Sequence, residues 1–148
     1  MPAQVVIDQT TLVHVSAAKS TDPSWPYKLS IFPQRGRDTT VFFTRAGKLA
    51  SEEKPREVVW MAHGLDLPQL PPGVEIKISR KNPGPPLLSN GDKYTLTKAN
   101  PTQSSGSAVQ LPPNQREGTW SYKVDLLDAA SNRLADTIDP DVIVKEDP

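Results

Sequence analysis

The stretch T-W-S-Y-K-V-D-L at positions 119–126 decides the fold of this chain. In this stretch every second side chain is apolar and the side chains between them are polar. Successive side chains of a β-strand point to opposite faces of its sheet, so strict alternation indicates a strand, whereas helical patterns repeat every 3.6 residues. The stretch therefore predicts a strand with one face in the core and one face in water.

Weaker forms of this alternation recur along the chain, as at 27–32 and 74–79. Sixteen prolines among 148 residues leave little room for long helices, because an interior proline loses a hydrogen bond and clashes with the preceding turn. Ten strands are predicted: Gln4 to Asp8, Thr11 to Ser16, Tyr27 to Phe32, Thr39 to Arg45, Glu57 to Ala62, Val74 to Ser79, Tyr94 to Lys98, Ala108 to Leu111, Thr119 to Asp128 and Asp141 to Lys145.

Short strands separated by proline-rich loops and tight-turn dipeptides such as Asn90-Gly91 are typical of two packed sheets. The sequence therefore predicts an all-β fold, an antiparallel β-sandwich of the immunoglobulin-like or cupredoxin-like type. The chain has the length of one ordinary domain, so residues 1–148 are expected to form a single domain.

The charges of the chain are balanced, with 17 basic and 17 acidic side chains. No long-range field therefore favours nucleic acid or an anionic membrane surface as a partner. No segment approaches the length of an apolar membrane helix, and positions 1–11 lack the basic start and apolar run of an export signal. We expect a soluble, cytoplasmic protein unless an export signal has been removed.

The second half of the chain, from Glu57 onward, resembles the closing part of a cupredoxin-type sandwich. In that family, a strand of the form Gly-Thr-Tyr-x-Tyr-x-Cys is followed by a metal-binding loop and a last strand. The stretch G-T-W-S-Y-K-V at 118–124 is similar to the first of these strands, and D-V-I-V at 141–144 is similar to the last. The resemblance implies a sandwich fold.

The resemblance does not extend to the copper ligands. Val124 stands where the family has its cysteine, and the loop from Asp125 to Pro140 contains neither His nor Met. Blue-copper chemistry needs a thiolate and two imidazoles, and this chain has no cysteine at all, so no cofactor is expected. A calcium site built from the tail acids Asp136, Asp139 and Asp141 is the weaker alternative to a purely structural turn.

Two histidines are the only side chains that titrate near neutral pH without perturbation. His14 lies between Val13 and Val15, so it is expected to point away from the core as a structural residue. His63 precedes Gly64 at a predicted turn, where a ligand could reach it. A Ser-His-Asp set could be composed around His63, but no motif that presents a nucleophile is present, so the chain is not expected to be an enzyme.

Aromatic side chains near loops offer a second kind of site. Trp25 stands between Ser24 and Pro26 just before a predicted strand, where a ring either closes the end of the fold or contacts a ligand. Trp25, Tyr27 and Tyr94 therefore form a candidate set for carbohydrate or small-ligand binding.

The segments Val41 to Phe43 and Val58 to Met61 interrupt the alternation with apolar side chains on both faces. Either loops cover these strands, or the two segments pair into an apolar patch that includes Trp60 and binds a partner. The leading hypothesis is a non-enzymatic protein-interaction module whose partner is another protein, including a second copy of the chain.

Overall fold

The computed structural model describes residues 9–34, 36–37, 39–45, 56–81, 93–106 and 118–146. Within these ranges the chain forms strands and loops without a helix, and it has no helix long and apolar enough to cross a membrane. The strands are β1 Gln9–Lys19, β2 Tyr27–Pro33, β3 Gly36–Arg37, β4 Thr40–Arg45, β5 Arg56–His63, β6 Glu75–Arg80, β7 Lys93–Thr97, β8 Thr102–Ser104, β9 Gly118–Leu127 and β10 Asp141–Glu146.

Eight of the ten predicted strands coincide with observed strands to within a few residues. The other two, Gln4 to Asp8 and Ala108 to Leu111, lie outside the described residues. Strands β3 and β8 were not predicted, because Gly36–Arg37 is only two residues long and Thr102–Ser104 contains no apolar side chain. Periodicity cannot detect strands that are so short or so polar.

The strands form two sheets, one of four strands in the order β2-β1-β5-β8 and one of six in the order β3-β4-β10-β9-β6-β7. Both sheets are mixed, because β1 pairs with β5 in parallel and β10 pairs with β4 in parallel. The prediction of purely antiparallel sheets was therefore wrong. Alternation specifies which face of a strand is buried, but it carries no information about the direction of the neighbouring strand.

Strand β9 has the burial that its sequence predicts. Trp120, Tyr122, Val124 and Leu126 are buried, each at most 1% exposed. Strand β9 lies between β10 and β6 in the interior of the six-stranded sheet, and the loop after it folds back so that Val124 exchanges two backbone hydrogen bonds with Ile138. This loop explains why Asp125, on the polar side of the pattern, is buried as well.

The buried side chains of both sheets join in one hydrophobic cluster. Val13, Leu29 and Trp60 enter it from the four-stranded sheet, and Ile76 and Trp120 enter it from the six-stranded sheet. The inner faces of the two sheets are therefore packed on a common core.

Candidate functional site

The structure separates the predicted site residues into three groups. Trp60 and Tyr94 lie in the core, with 0% and 4% of their surfaces exposed. Trp25 is half-buried and shares a surface pocket with Tyr27. His63 is exposed at the end of β5. No single site therefore unites these five side chains.

The assignment of Trp60 and Tyr94 to a binding surface is corrected by their packing. Their ring centres are 4.7 Å apart, and both rings also contact Trp120, which lies in the same sheet as Tyr94. Trp60 donates a hydrogen bond from Nε1 to the hydroxyl of Tyr122 over 3.4 Å. These aromatic side chains hold the two sheets together, so a surface ligand cannot reach them.

The Tyr122 hydroxyl is polar in the middle of this cluster. Burial raises the pKa of this hydroxyl above its usual value of 10.0, and the charge of Asp141 adds to this effect, while the hydrogen bond from Trp60 opposes it. Tyr122 is consequently a neutral structural group rather than a candidate for proton transfer.

Val41 to Phe43 does not pair with Val58 to Met61, so the alternative in which the two segments form one apolar patch was wrong. The first segment belongs to β4, which pairs with β3 and β10, and the second belongs to β5 in the other sheet. Val58 and Trp60 point into the core, whereas Val59 and Met61 are half-buried on the opposite side of β5. Both faces of β5 are therefore apolar, as predicted. The strands that pair with β5 are β1 and β8, however, and not β4.

Side chains of β1, β2 and β5 define the outer face of the four-stranded sheet. Phe32 is 61% exposed. No other large hydrophobic side chain among the described residues is exposed. Phe32 lies on β2 opposite His14 of β1, which in turn lies beside Met61 of β5. The outer face, as named below, consists of six side chains on these three strands: Leu12, His14, Phe32, Val59, Met61 and His63.

His14 and His63 meet on this outer face. His14 Nδ1 lies 2.8 Å from His63 Nε2, and the ring centres are 5.0 Å apart. Burial of Val13 and Val15 confirms the prediction that His14 points away from the core. No sequence pattern indicates that the two histidines meet, because they are 49 positions apart and only the parallel register of β1 and β5 brings them together.

The Trp25 pocket is a second surface site, with a volume of about 310 Å³. The guanidinium carbon of Arg133 lies 5.1 Å from the centre of the Trp25 ring, a cation–π geometry that holds the ring in place. The other lining side chains include hydroxyls and charges that suit a polar ligand, among them Ser20, Thr21, Asp22, Lys28, Asp136 and Thr137.

The tail acids do not assemble into the calcium site that was the weaker prediction. Among the residues that the structure describes, no three acidic or histidine side chains converge on one point where a metal ion could bind. Asp139 instead forms an ion pair with Lys81 at 3.6 Å, and Asp141 begins β10 opposite Ser121. Asp136 lies apart from both of them, on the lining of the pocket beside Trp25.

No protein-family model matches the chain, and a search among curated proteins finds no similar sequence. The likeness to cupredoxin-type domains therefore stays a prediction from the residues of β9 and β10. The outer face and the Trp25 pocket are the two surfaces on which a functional proposal can be based.

Proposed function

We propose that this protein is a non-enzymatic binding module that recognises another protein through the outer face of its four-stranded sheet. The observation that carries the proposal is Phe32, a large aromatic side chain on the edge strand β2 that is 61% exposed and lies on the same face as the apolar side chains Leu12 and Met61. Exposed apolar patches are uncommon on monomeric proteins and usually mark an interface, and aromatic side chains frequently dominate the binding energy.

The neighbours of Phe32 support this role. Leu12, Val59 and Met61 are half-buried on the same face, so an apolar stripe runs across three strands. Hydrogen-bonding side chains border the stripe, since Gln34 Oε1 accepts from the Leu12 amide and Ser104 Oγ donates to Glu57 Oε2. An apolar centre with a polar border is the usual composition of a protein-binding surface.

The scaffold of this module is, in our proposal, a β-sandwich. The single core shared by both sheets and the contacts of Trp60 with Tyr94 and Trp120 across it support this arrangement. The parallel pairs β1–β5 and β4–β10 favour the cupredoxin-like alternative over the immunoglobulin-like one, whose sheets are antiparallel.

Substitution of Phe32 by glutamate tests the proposal. The wild type and Phe32→Glu are immobilised and exposed to an extract of the source cells, and their self-association is followed by sedimentation velocity. The matched control is Thr119→Glu, which adds one negative charge to an exposed position on β9 in the other sheet.

We expect a partner protein, or a second copy of the chain, to be retained by the wild type and by Thr119→Glu. Loss of an aromatic anchor weakens binding by about 2 kcal/mol or more, so the affinity of Phe32→Glu for the partner is expected to be roughly 30-fold lower, and it should retain correspondingly less. Equal retention by all three proteins, or a monomer that retains nothing in any of the three forms, would contradict the proposal.

The Trp25 pocket supports a second candidate function, the binding of a carbohydrate or a small polar ligand. The ring of Trp25 is half-buried and held in place by Arg133, and such a preorganised aromatic surface suits a sugar ring. Trp60 and Trp120 are buried, so a ligand in this pocket would change the fluorescence of Trp25 alone. A glycan array probed with the wild type and with Trp25→Ala would detect the activity, and identical profiles would exclude it.

A further inference from the structure

The two histidines on the outer face are positioned by backbone geometry rather than by chance contact of flexible side chains. In the parallel pair of β1 and β5, His14 lies beside Met61, and Ser16 lies beside His63. His14 and His63 are therefore diagonal neighbours on one face of the sheet, within reach of side chains as long as imidazole.

The turn after His63 holds this arrangement in place. Gly64 has a φ of +83°, and a Cβ atom at this position would lie only 2.1 Å from the backbone oxygen of Ala17. The end of β5 thus turns tightly against β1, and the backbone that carries His63 has little freedom to move away from His14.

The spacing of the two nitrogens fits a shared metal ion. Imidazole nitrogens bind transition-metal ions such as Zn²⁺ at about 2.0 to 2.1 Å. Two nitrogens whose bonds meet at the ion at a right angle are therefore about 2.9 Å apart, and two that meet at a tetrahedral angle are about 3.4 Å apart. The observed separation of His14 Nδ1 and His63 Nε2 is 2.8 Å. In the present hydrogen bond one of the two nitrogens carries a hydrogen and the other accepts it. The donor imidazole can move its hydrogen to its other ring nitrogen, and a modest rotation of the two rings then turns both lone pairs toward an ion.

Right-angled pairs of nitrogen ligands are typical of square-planar and octahedral sites, which Cu²⁺ and Ni²⁺ prefer, and Cu²⁺ binds most strongly among the divalent ions of this series. His14 and His63 are the two histidines of the entire 148-residue chain, and it has no cysteine. Every imidazole that the protein can offer to a metal is therefore gathered at this one place.

We propose that His14 and His63 form a chelating site for a divalent transition-metal ion of the Cu²⁺ or Ni²⁺ type. The ion is held by His14 Nδ1 and His63 Nε2, and water or a donor group from a bound partner completes its coordination. The site lies on the outer face that is proposed above to bind a protein, but it does not rest on that proposal, because it requires only the two imidazoles and the register of β1 and β5.

Titration with Cu²⁺ tests this site on the full chain, with binding followed by calorimetry and the ligands followed by electron paramagnetic resonance. At one equivalent, we expect the spectrum of the wild type to show coupling to two imidazole nitrogens. His14→Ala and His63→Ala should each bind roughly 100-fold more weakly, because a chelate loses its effective concentration when one ligand is removed.

Two further variants make the test specific. Thr119→Ala lies at an exposed position on β9 in the other sheet and keeps both imidazoles, so it should bind Cu²⁺ as the wild type does. The double variant His14→Ala/His63→Ala gives the baseline for carboxylates and the terminal amine. Coupling to fewer than two imidazoles in the wild type would overturn the proposal, and this result does not depend on how the variants fold. Affinities of the single variants equal to that of the wild type would overturn it as well.

Discussion

Trp60 and Trp120 show how two buried side chains of the same kind can differ in their contribution to stability. Both are at most 1% exposed, yet Trp60 Nε1 donates to the Tyr122 hydroxyl, whereas Trp120 Nε1 has no hydrogen-bond partner in the described part of the chain. A buried donor without a partner retains its desolvation penalty, while a paired donor offsets it.

We therefore predict that Trp60→Phe lowers the free energy of unfolding by about 1 to 3 kcal/mol more than Trp120→Phe does. Trp120→Ala should still lose about 3 to 5 kcal/mol, because it leaves a cavity in the core. Denaturant unfolding of the three variants measures these differences. A Trp120→Phe variant that is as destabilised as Trp60→Phe would show that both indole nitrogens are equally satisfied.

Tyr122 predicts how the stability changes in alkali. Its pKa is raised in the folded state above the value of 10.0 that applies to the unfolded chain. The folded state therefore retains a proton that the unfolded state loses, so the stabilisation is complete below pH 10 and decreases as the pH rises above it.

Tyr122→Phe removes this titration and should flatten the decline in stability between about pH 9 and pH 11. The measurement is the free energy of unfolding of the wild type and of Tyr122→Phe across this range, since other groups contribute equally to both proteins. Parallel curves would mean that the Tyr122 hydroxyl ionises as easily in the folded protein as in the unfolded chain.

At the scale of the elements, the turn after β5 determines where His63 lies. Gly64 and Gly73 have nearly the same positive φ, +83° and +78°, so alanine at either position adopts an unfavourable backbone conformation. The two positions differ in their surroundings, because a Cβ at Gly64 meets a backbone oxygen at 2.1 Å and a Cβ at Gly73 meets the Ala129 methyl group at 2.9 Å.

We predict that Gly64→Ala destabilises the protein more than Gly73→Ala, by about 1 kcal/mol or more, because backbone is harder to displace than a methyl group. Gly64→Ala should also separate His14 from His63, whereas Gly73→Ala should leave them in contact. Thermal unfolding and the imidazole NMR signals measure the two effects. Equal destabilisation would show that conformation alone, and not the approach to β1, requires glycine at position 64.

The sequence predicts well which face of a strand is buried, and it predicts poorly which strands pair with each other. The alternation in β2 assigns Phe32 to the solvent side together with Lys28 and Ser30, and the structure confirms this assignment. The pairing of β1 with β5 is not encoded in either strand alone, since it depends on a connection that spans three other strands. The periodicity of the sequence therefore could not predict the contact of His14 with His63, whereas it did predict that Phe32 is on the solvent side.

At the scale of the whole molecule, the two candidate surfaces share one strand. Tyr27 lines the Trp25 pocket at the start of β2, and Phe32 lies five positions further along, roughly 17 Å away for an extended strand. A partner on the outer face can therefore leave the pocket free, and a ligand in the pocket can leave Phe32 exposed. This separation allows a single experiment to distinguish the two functions.

That experiment is hydroxyl-radical footprinting of the protein in an extract of its source cells, compared with the purified protein. Met61 is the one methionine besides Met1, so its oxidation and that of Phe32 report directly on the outer face, while Trp25 reports on the pocket. We predict that oxidation of Met61 and Phe32 falls severalfold in the extract while that of Trp25 is unchanged. Equal oxidation of Met61 and Phe32 in both samples would contradict the claim that this face binds a protein.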